Sequence, residues 1–151
     1  MSSARRSWNS ILALAARILL VPYLVSLFLI TWLPGSEAER VTGIVAYTAH
    51  ALEQWSIPFS IGYPLLEFTA NIVLFVPFGL LLRLAWSRLT FPAVAISAGA
   101  VSVLIEAVQI FLPTRFPTLS DVIANTSGGI LGYVLALSVV ALVQRRVRTH
   151  G

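Results

Sequence analysis

The sequence contains no cysteine and no lysine, and charged residues make up only 11% of it. Without cysteine there are no disulfides, no zinc–thiolate sites and no thiol nucleophiles. Without lysine, all ten positive side chains are arginines, set against six acidic ones. The net charge of +4 is no nucleic-acid signal, because the arginines do not gather on one motif. They stand at the ends of apolar segments, where membrane topology accounts for them. A soluble domain carries about 25% charged residues. This chain is 58% hydrophobic with a mean hydropathy of +0.88, which assigns it to a lipid bilayer. No internal repeat or low-complexity tail interrupts the pattern.

Four segments are long enough to cross the roughly 30 Å hydrocarbon layer, which takes about 20 helical residues. They cover about residues 13–33, 68–86, 91–112 and 121–143. The last two connections, "SRLT" and "PTRFPTLS", are short, so the last three spans form an antiparallel up-down bundle. Arg5, Arg6, Arg17, Arg83, Arg88, Arg145, Arg146 and Arg148 fall on one side of this topology, and only Arg40 and Arg115 on the other. That asymmetry places residues 1–12 and the basic tail 144–151 in the cytoplasm, and 34–67 outside. A cleaved signal peptide fits the basic start. Against it, Arg17 interrupts the apolar stretch and "LPGSEAE" is a poor cleavage site, so the first span is expected to be retained. The expected fold is all-α: a polytopic bundle of four transmembrane helices with one amphipathic helix in the first outer loop.

That loop helix opens on "SEAE", a capping box with Ser36 as N-cap and Glu39 reaching back. Val41, Ile44, Val45, Thr48, Leu52 and Trp55 then recur at helical spacing, up to the stop "SIPF". Such a helix either lies flat at the outer interface with Trp55 at headgroup level or packs on the bundle; both readings place it as a lid over the outer ends of the spans.

Polar residues in the spans sort by depth. Glu67 and Asn71 share a face at the outer end of the second span, as Asp121 and Asn125 do in the fourth. In the third, "SVLIEAVQIFLP" places Glu106 and Gln109 on one face, with Glu106 about 9 Å below Leu112. Arg115 lies in the loop joining the last two spans. A charge at a helix centre costs roughly 2.5–3.5 kcal/mol on insertion scales, so such groups turn inward and find partners. "TLSD", Thr118 to Asp121, is also a capping box for the fourth span. Gly128 and Gly132 continue the face of Asp121 and Asn125, a small-xxx-small surface for close backbone approach. Gly99 and Ser102 continue that of Glu106 and Gln109. Pro77 cannot donate to the carbonyl of Val73 and is expected to kink the second span.

Three stretches resemble the VanZ-like family of bacterial membrane proteins: "NIVLFVPFG" from Asn71, "IEAVQ" from Ile105, and "RFPTLSDVIANTSGGILG" from Arg115. The resemblance covers about residues 67–143, a three-helix core. It implies a multi-pass protein of the bacterial cytoplasmic membrane. The family's recurrent polar positions fall on Asn71, Glu106, Gln109, Arg115, Asp121 and Asn125. Members often carry an acidic residue three after the arginine, where this chain has Thr118. The family's name comes from a member associated with low-level resistance to teicoplanin.

Three functions fit. The leading one is a non-enzymatic envelope protein whose outer polar pocket binds a membrane lipid, a lipid-linked wall precursor or a lipoglycopeptide. Arg115 would take a phosphate or carboxylate, and Asn71, Gln109 and Asn125 would give directional bonds. The second is an intramembrane enzyme with Glu106 as acid or base opposite Glu67 or Asp121. The third is a small transporter or helper subunit, set back by the apolar inner halves unless the chain forms an oligomer. The sequence offers no Ser-His-Asp or Cys-His set and no phosphate loop. No cofactor is expected, and no metal, since "HALE" supplies only His50 and Glu53 as ligands.

Overall fold

The structure is a computed structural model that describes residues 3–32, 35–112 and 117–149, with side chains over 10–32, 43–112 and 117–146. It contains five helices: α1 Ser3–Trp32, α2 Gly35–Glu53, α3 Phe59–Ala85, α4 Phe91–Gln109 and α5 Leu119–Thr149. There is no strand among the described residues. Four segments are long and apolar enough to cross a membrane: Ser10–Trp32, Phe59–Ala85, Phe91–Gln109 and Leu119–Arg146. The fold is the expected all-α bundle with one additional helix. Its polar end holds the C-terminus of α4 and the start of α5; its basic end holds the C-terminus of α3 and the start of α4.

The centre of the bundle is the crossing of α3 and α5, and glycine makes it close. A Cβ on Gly132 would collide with the Val76 carbonyl and approach Leu80 N to 2.6 Å. One on Gly128 would collide with the Ile72 carbonyl and approach Phe75 Cβ to 2.9 Å. From the other side, a Cβ on Gly79 would run into the backbone of Gly129. In lipid there is no hydrophobic drive between helices, so such backbone-to-backbone packing holds them together. Around the seam, Leu27, Phe75, Phe78, Ala98 and Ile105 form the main core, and Ala16, Leu20, Leu81 and Ala85 a second one toward the basic end.

Helix α1 is fastened differently, by side chains that reach main-chain carbonyls at three levels. Arg17 Nε donates to Ala85 O (3.2 Å), Tyr23 Oη to Leu74 O (2.9 Å), and Gln109 Nε2 to Thr31 O (3.0 Å). Its opposite face, with Ile18, Val21, Val25 and Leu29, is exposed and suited to lipid tails. Pro77 lies inside an unbroken α3. The Tyr23 bond reaches the carbonyl next to that of Val73, the one Pro77 leaves without its helical amide.

The helix that carries the second span starts at Phe59, well ahead of the span expected from about residue 68, so α3 has 27 residues, about 40 Å. Its first turns exceed the thickness of a hydrocarbon core and give α2 something to pack on. Helix α2 packs on α3 and reaches α1, and among the described residues has no contact with α4 or α5. It therefore forms a hairpin with α3 rather than a lid over the bundle. His50 stacks on Phe59 with ring centroids 4.4 Å apart, and Gly62 faces Leu52 and the Ala49 carbonyl. The turn is a Schellman closure: Ser56 N donates to Glu53 O and Ile57 N to Leu52 O, with Ser56 at φ 63°. Ile44, Tyr47 and Trp55 stay exposed on the far face. The helix starts at Gly35, and the side chains of the expected Ser36–Glu39 box lie outside the described residues.

Candidate functional site

The capping box at the start of α5 is only half closed within its own helix. Asp121 N donates to Thr118 Oγ1 (3.1 Å), as an N-cap requires. In a complete box the acidic side chain at the third position returns to the N-cap amide. Here that amide, Thr118 N, donates instead to Glu106 Oε2 on α4 (2.9 Å). The Asp121 carboxyl turns to α3 and accepts from Asn71 Nδ2 (2.7 Å). One local motif is thus opened and its two halves tie α5 to α4 and to α3.

One turn deeper, Asn125 Nδ2 donates to Ser102 Oγ (2.9 Å) between α5 and α4. The Asn125 Oδ1 is buried and has no hydrogen-bond partner. Gln109, three residues beyond Glu106, points the other way and binds α1 through Thr31 O. Ser102, Asn125, Glu106 and Gln109 are 0%, 4%, 8% and 8% exposed, a depth at which polar groups need partners. Glu67 is exposed on α3, one turn before Asn71, with Tyr63 Oη 3.5 Å from its Oε1.

The expected polar level is therefore a set of cross-helix pairs: Asn71 with Asp121, Glu106 with the Thr118 amide, Ser102 with Asn125, and Gln109 with α1. Arg115 lies outside the described residues. Among the described residues there is no group of three His, Asp or Glu side chains to hold a metal. His50 Nδ1 and Glu53 Oε2 are 3.2 Å apart on α2, a helix with no contact to α4 or α5 among the described residues.

A sequence model of the VanZ/LLP1 family matches residues 19–142, from the middle of α1 to the last turns of α5. The chain belongs to the VanZ family. It is 30% identical over 121 residues to Protein VanZ of Enterococcus faecium, covering 80% of this chain and 72% of that one. No solved structure matches it significantly. With four apolar spans, this VanZ-family chain is a multi-pass membrane protein.

The VanZ motifs near residues 71, 106 and 121 meet at one end of the bundle, and the glycines of the last motif make the seam below them. Sequence reasoning missed the roles of four residues. Ser102 was assigned to the right face but not paired with Asn125. Thr31 contributes a carbonyl and Thr118 an amide, main-chain groups that a search for polar side chains passes over. Tyr23 was read as part of an apolar run, although a buried phenol in a span calls for an acceptor.

Proposed function

We propose that the polar end of the bundle is a binding end rather than a reacting one, facing the outside of the bacterial cytoplasmic membrane. Its ligand is the polar part of an envelope lipid, a lipid-linked wall precursor or an acylated glycopeptide such as teicoplanin, whose access it lowers. The outward orientation, with both termini cytoplasmic, rests on the arginine asymmetry of the sequence. Arg115 enters from sequence alone, three residues before Thr118, as the group that takes a phosphate or carboxylate.

The observation that carries this reading is the engagement of two of the three carboxyl groups toward this end, those of Glu106 and Asp121, while the third, Glu67, is exposed on α3. Glu106 holds the cap of α5 and Asp121 holds Asn71. A general acid or base must reach the proton it transfers. Carboxyl groups that fasten helix to helix serve better as the frame of a site than as its reagent.

The test is teicoplanin tolerance and surface-bound labelled teicoplanin in a sensitive host, at matched membrane abundance. Wild type is expected to lower bound drug, Arg115→Ala to lose that effect, and Glu106→Gln to keep most of it, since the amide oxygen still accepts from Thr118. Loss in Glu106→Gln at full abundance would point to proton chemistry instead. A wild type that changes neither readout sinks the drug-access role.

A further inference from the structure

Arg83 leaves the last turn of α3 and lays its guanidinium over Tyr133 of α5, with Cζ 5.7 Å from the ring centroid. Phe91, the first residue of α4, meets the same ring edge-on at 5.9 Å. Three helices thus converge on one aromatic ring beside one guanidinium. The Arg83 Nε is buried and has no hydrogen-bond partner. Among the described side chains no carboxyl is near to answer it: Glu53 is at the end of α2, and Glu67, Glu106 and Asp121 are toward the polar end. Topology accounts for positive charge at this end of the bundle. It does not account for a half-buried, ring-stacked guanidinium, since an arginine serving topology alone stays in water, as exposed Arg88 does.

We infer that the basic end binds the phosphate of an anionic membrane lipid, with Arg83 as its principal contact. A guanidinium offers two parallel N–H donors to two phosphate oxygens, and stacking on Tyr133 fixes the plane of that fork. Arg17 stands beside the same helix end, its Cζ 5.7 Å from the centroid of Trp86, and adds a second positive charge. Thr90 makes no side-chain cap for α4, so the amides of Phe91 and Ala93, on either side of Pro92, which has none, are left for an anion. The end of a span lies at headgroup depth, where the phosphate available in quantity belongs to lipid.

The full chain, purified in detergent and exchanged with equal amounts of phosphatidylglycerol and phosphatidylcholine, is read by native mass spectrometry. Wild type is expected to retain phosphatidylglycerol about tenfold over phosphatidylcholine, a ratio in the range of one charge-assisted hydrogen bond. Arg83→Gln is expected to lose that preference, Arg88→Gln to keep it, and millimolar inorganic phosphate to leave the lipid bound. Equal retention of the two lipids by wild type overturns the proposal whatever the variants do. An undiminished preference in Arg83→Gln overturns it as well. Displacement by millimolar phosphate would reassign the site to a soluble anion. If Arg83→Gln does not accumulate, Arg83→Lys decides: it keeps the charge and loses the fork, so a reduced preference supports the assignment and an unchanged one removes it.

Discussion

At the polar end, the Glu106 carboxyl meets the Thr118 amide and the Asp121 carboxyl meets Asn71, so these two acids are answered from other elements. At the basic end, Arg17 meets one carbonyl and one ring, and Arg83 a ring alone. The first arrangement answers the Glu106 and Asp121 carboxyls within the chain and leaves only neutral polar atoms such as Asn125 Oδ1 over; the second leaves the charged Arg83 without an acceptor at its buried Nε. The difference separates two uses of polar groups in a membrane bundle. Internally matched groups fix which helices meet and in what register. Unmatched ones at the headgroup level leave their last partners to the surroundings. Changes at the polar end should therefore read out as folding, and changes at the basic end as dependence on lipid and salt.

The largest effect is expected midway between the ends, because both depend on the glycine seam. Gly132→Val sets a branched side chain against the backbone of Val76 and Leu80, atoms that cannot rotate away. Overpacking costs about 1–3 kcal/mol and occasionally more; here the upper end applies, with loss of most folded protein in a detergent thermal-stability assay. Gly43→Ala is the counterpart, since nothing lies within 4 Å of its added Cβ. It should be neutral or stabilise by about 0.5–1 kcal/mol, as removal of a helix-interior glycine does. If the two substitutions behave alike, the seam is not what holds α3 to α5.

Next comes the opened capping box. Glu106→Ala leaves the Thr118 amide without its acceptor, a loss of about 1–3 kcal/mol. Glu106→Gln keeps an acceptor oxygen and should cost less than half as much in the same unfolding assay. Equal losses would show that the charge, not the cap, matters at this position. One turn deeper, Ser102→Ala removes the partner of Asn125 Nδ2. Interhelical hydrogen bonds in membranes are worth about 0.6 kcal/mol and up to about 1.7. A small destabilisation, removed when Asn125→Leu is combined with Ser102→Ala in a double-mutant cycle, is the expected result.

Much of this was legible in the sequence. Apolar runs bounded by arginine gave the four spans, and residues at i and i+4 gave the faces that carry Asn71, Glu106, Asp121 and Asn125. Spacing also marked Gly128 and Gly132 as a packing face, but a face does not name its neighbour; only the fold shows that α3 fills it. The start of α3 at Phe59 was not legible because Pro58, Gly62 and Pro64 are residues that punctuate helices. Pro58 is in fact the N-cap, and Pro64 lies far enough forward that the carbonyl it leaves unpaired belongs to exposed Ser60. The lid reading failed for a related reason. An amphipathic pattern says that one side of α2 is covered but not by what; α3 covers Ala49 and reaches Leu52, while Ile44 and Trp55 of the same pattern stay exposed. The Glu106 bond was hidden because its donor is a main-chain amide, which no side-chain pattern records.

The smallest expected effect sharpens the contrast between the ends most directly. Arg17 donates to Ala85 O in the last turn of α3, where a positive charge also opposes the negative end of the helix dipole. Arg17→Gln should cost only about 0.3–1 kcal/mol at low salt. Arg17 is exposed, so its interaction is screened as ionic strength rises, with a Debye length of about 10 Å at 0.1 M salt and about 3 Å at 1 M. The difference between wild type and Arg17→Gln should therefore shrink in high salt. Glu106 sits almost without solvent contact and binds a neutral amide, so the cost of Glu106→Ala should hardly change over the same range. Melting curves of the two variants at low and high salt separate the cases. A salt-sensitive Glu106→Ala or a salt-insensitive Arg17→Gln would mean that the polar end also depends on its surroundings, or that the basic end is closed by contacts within the chain.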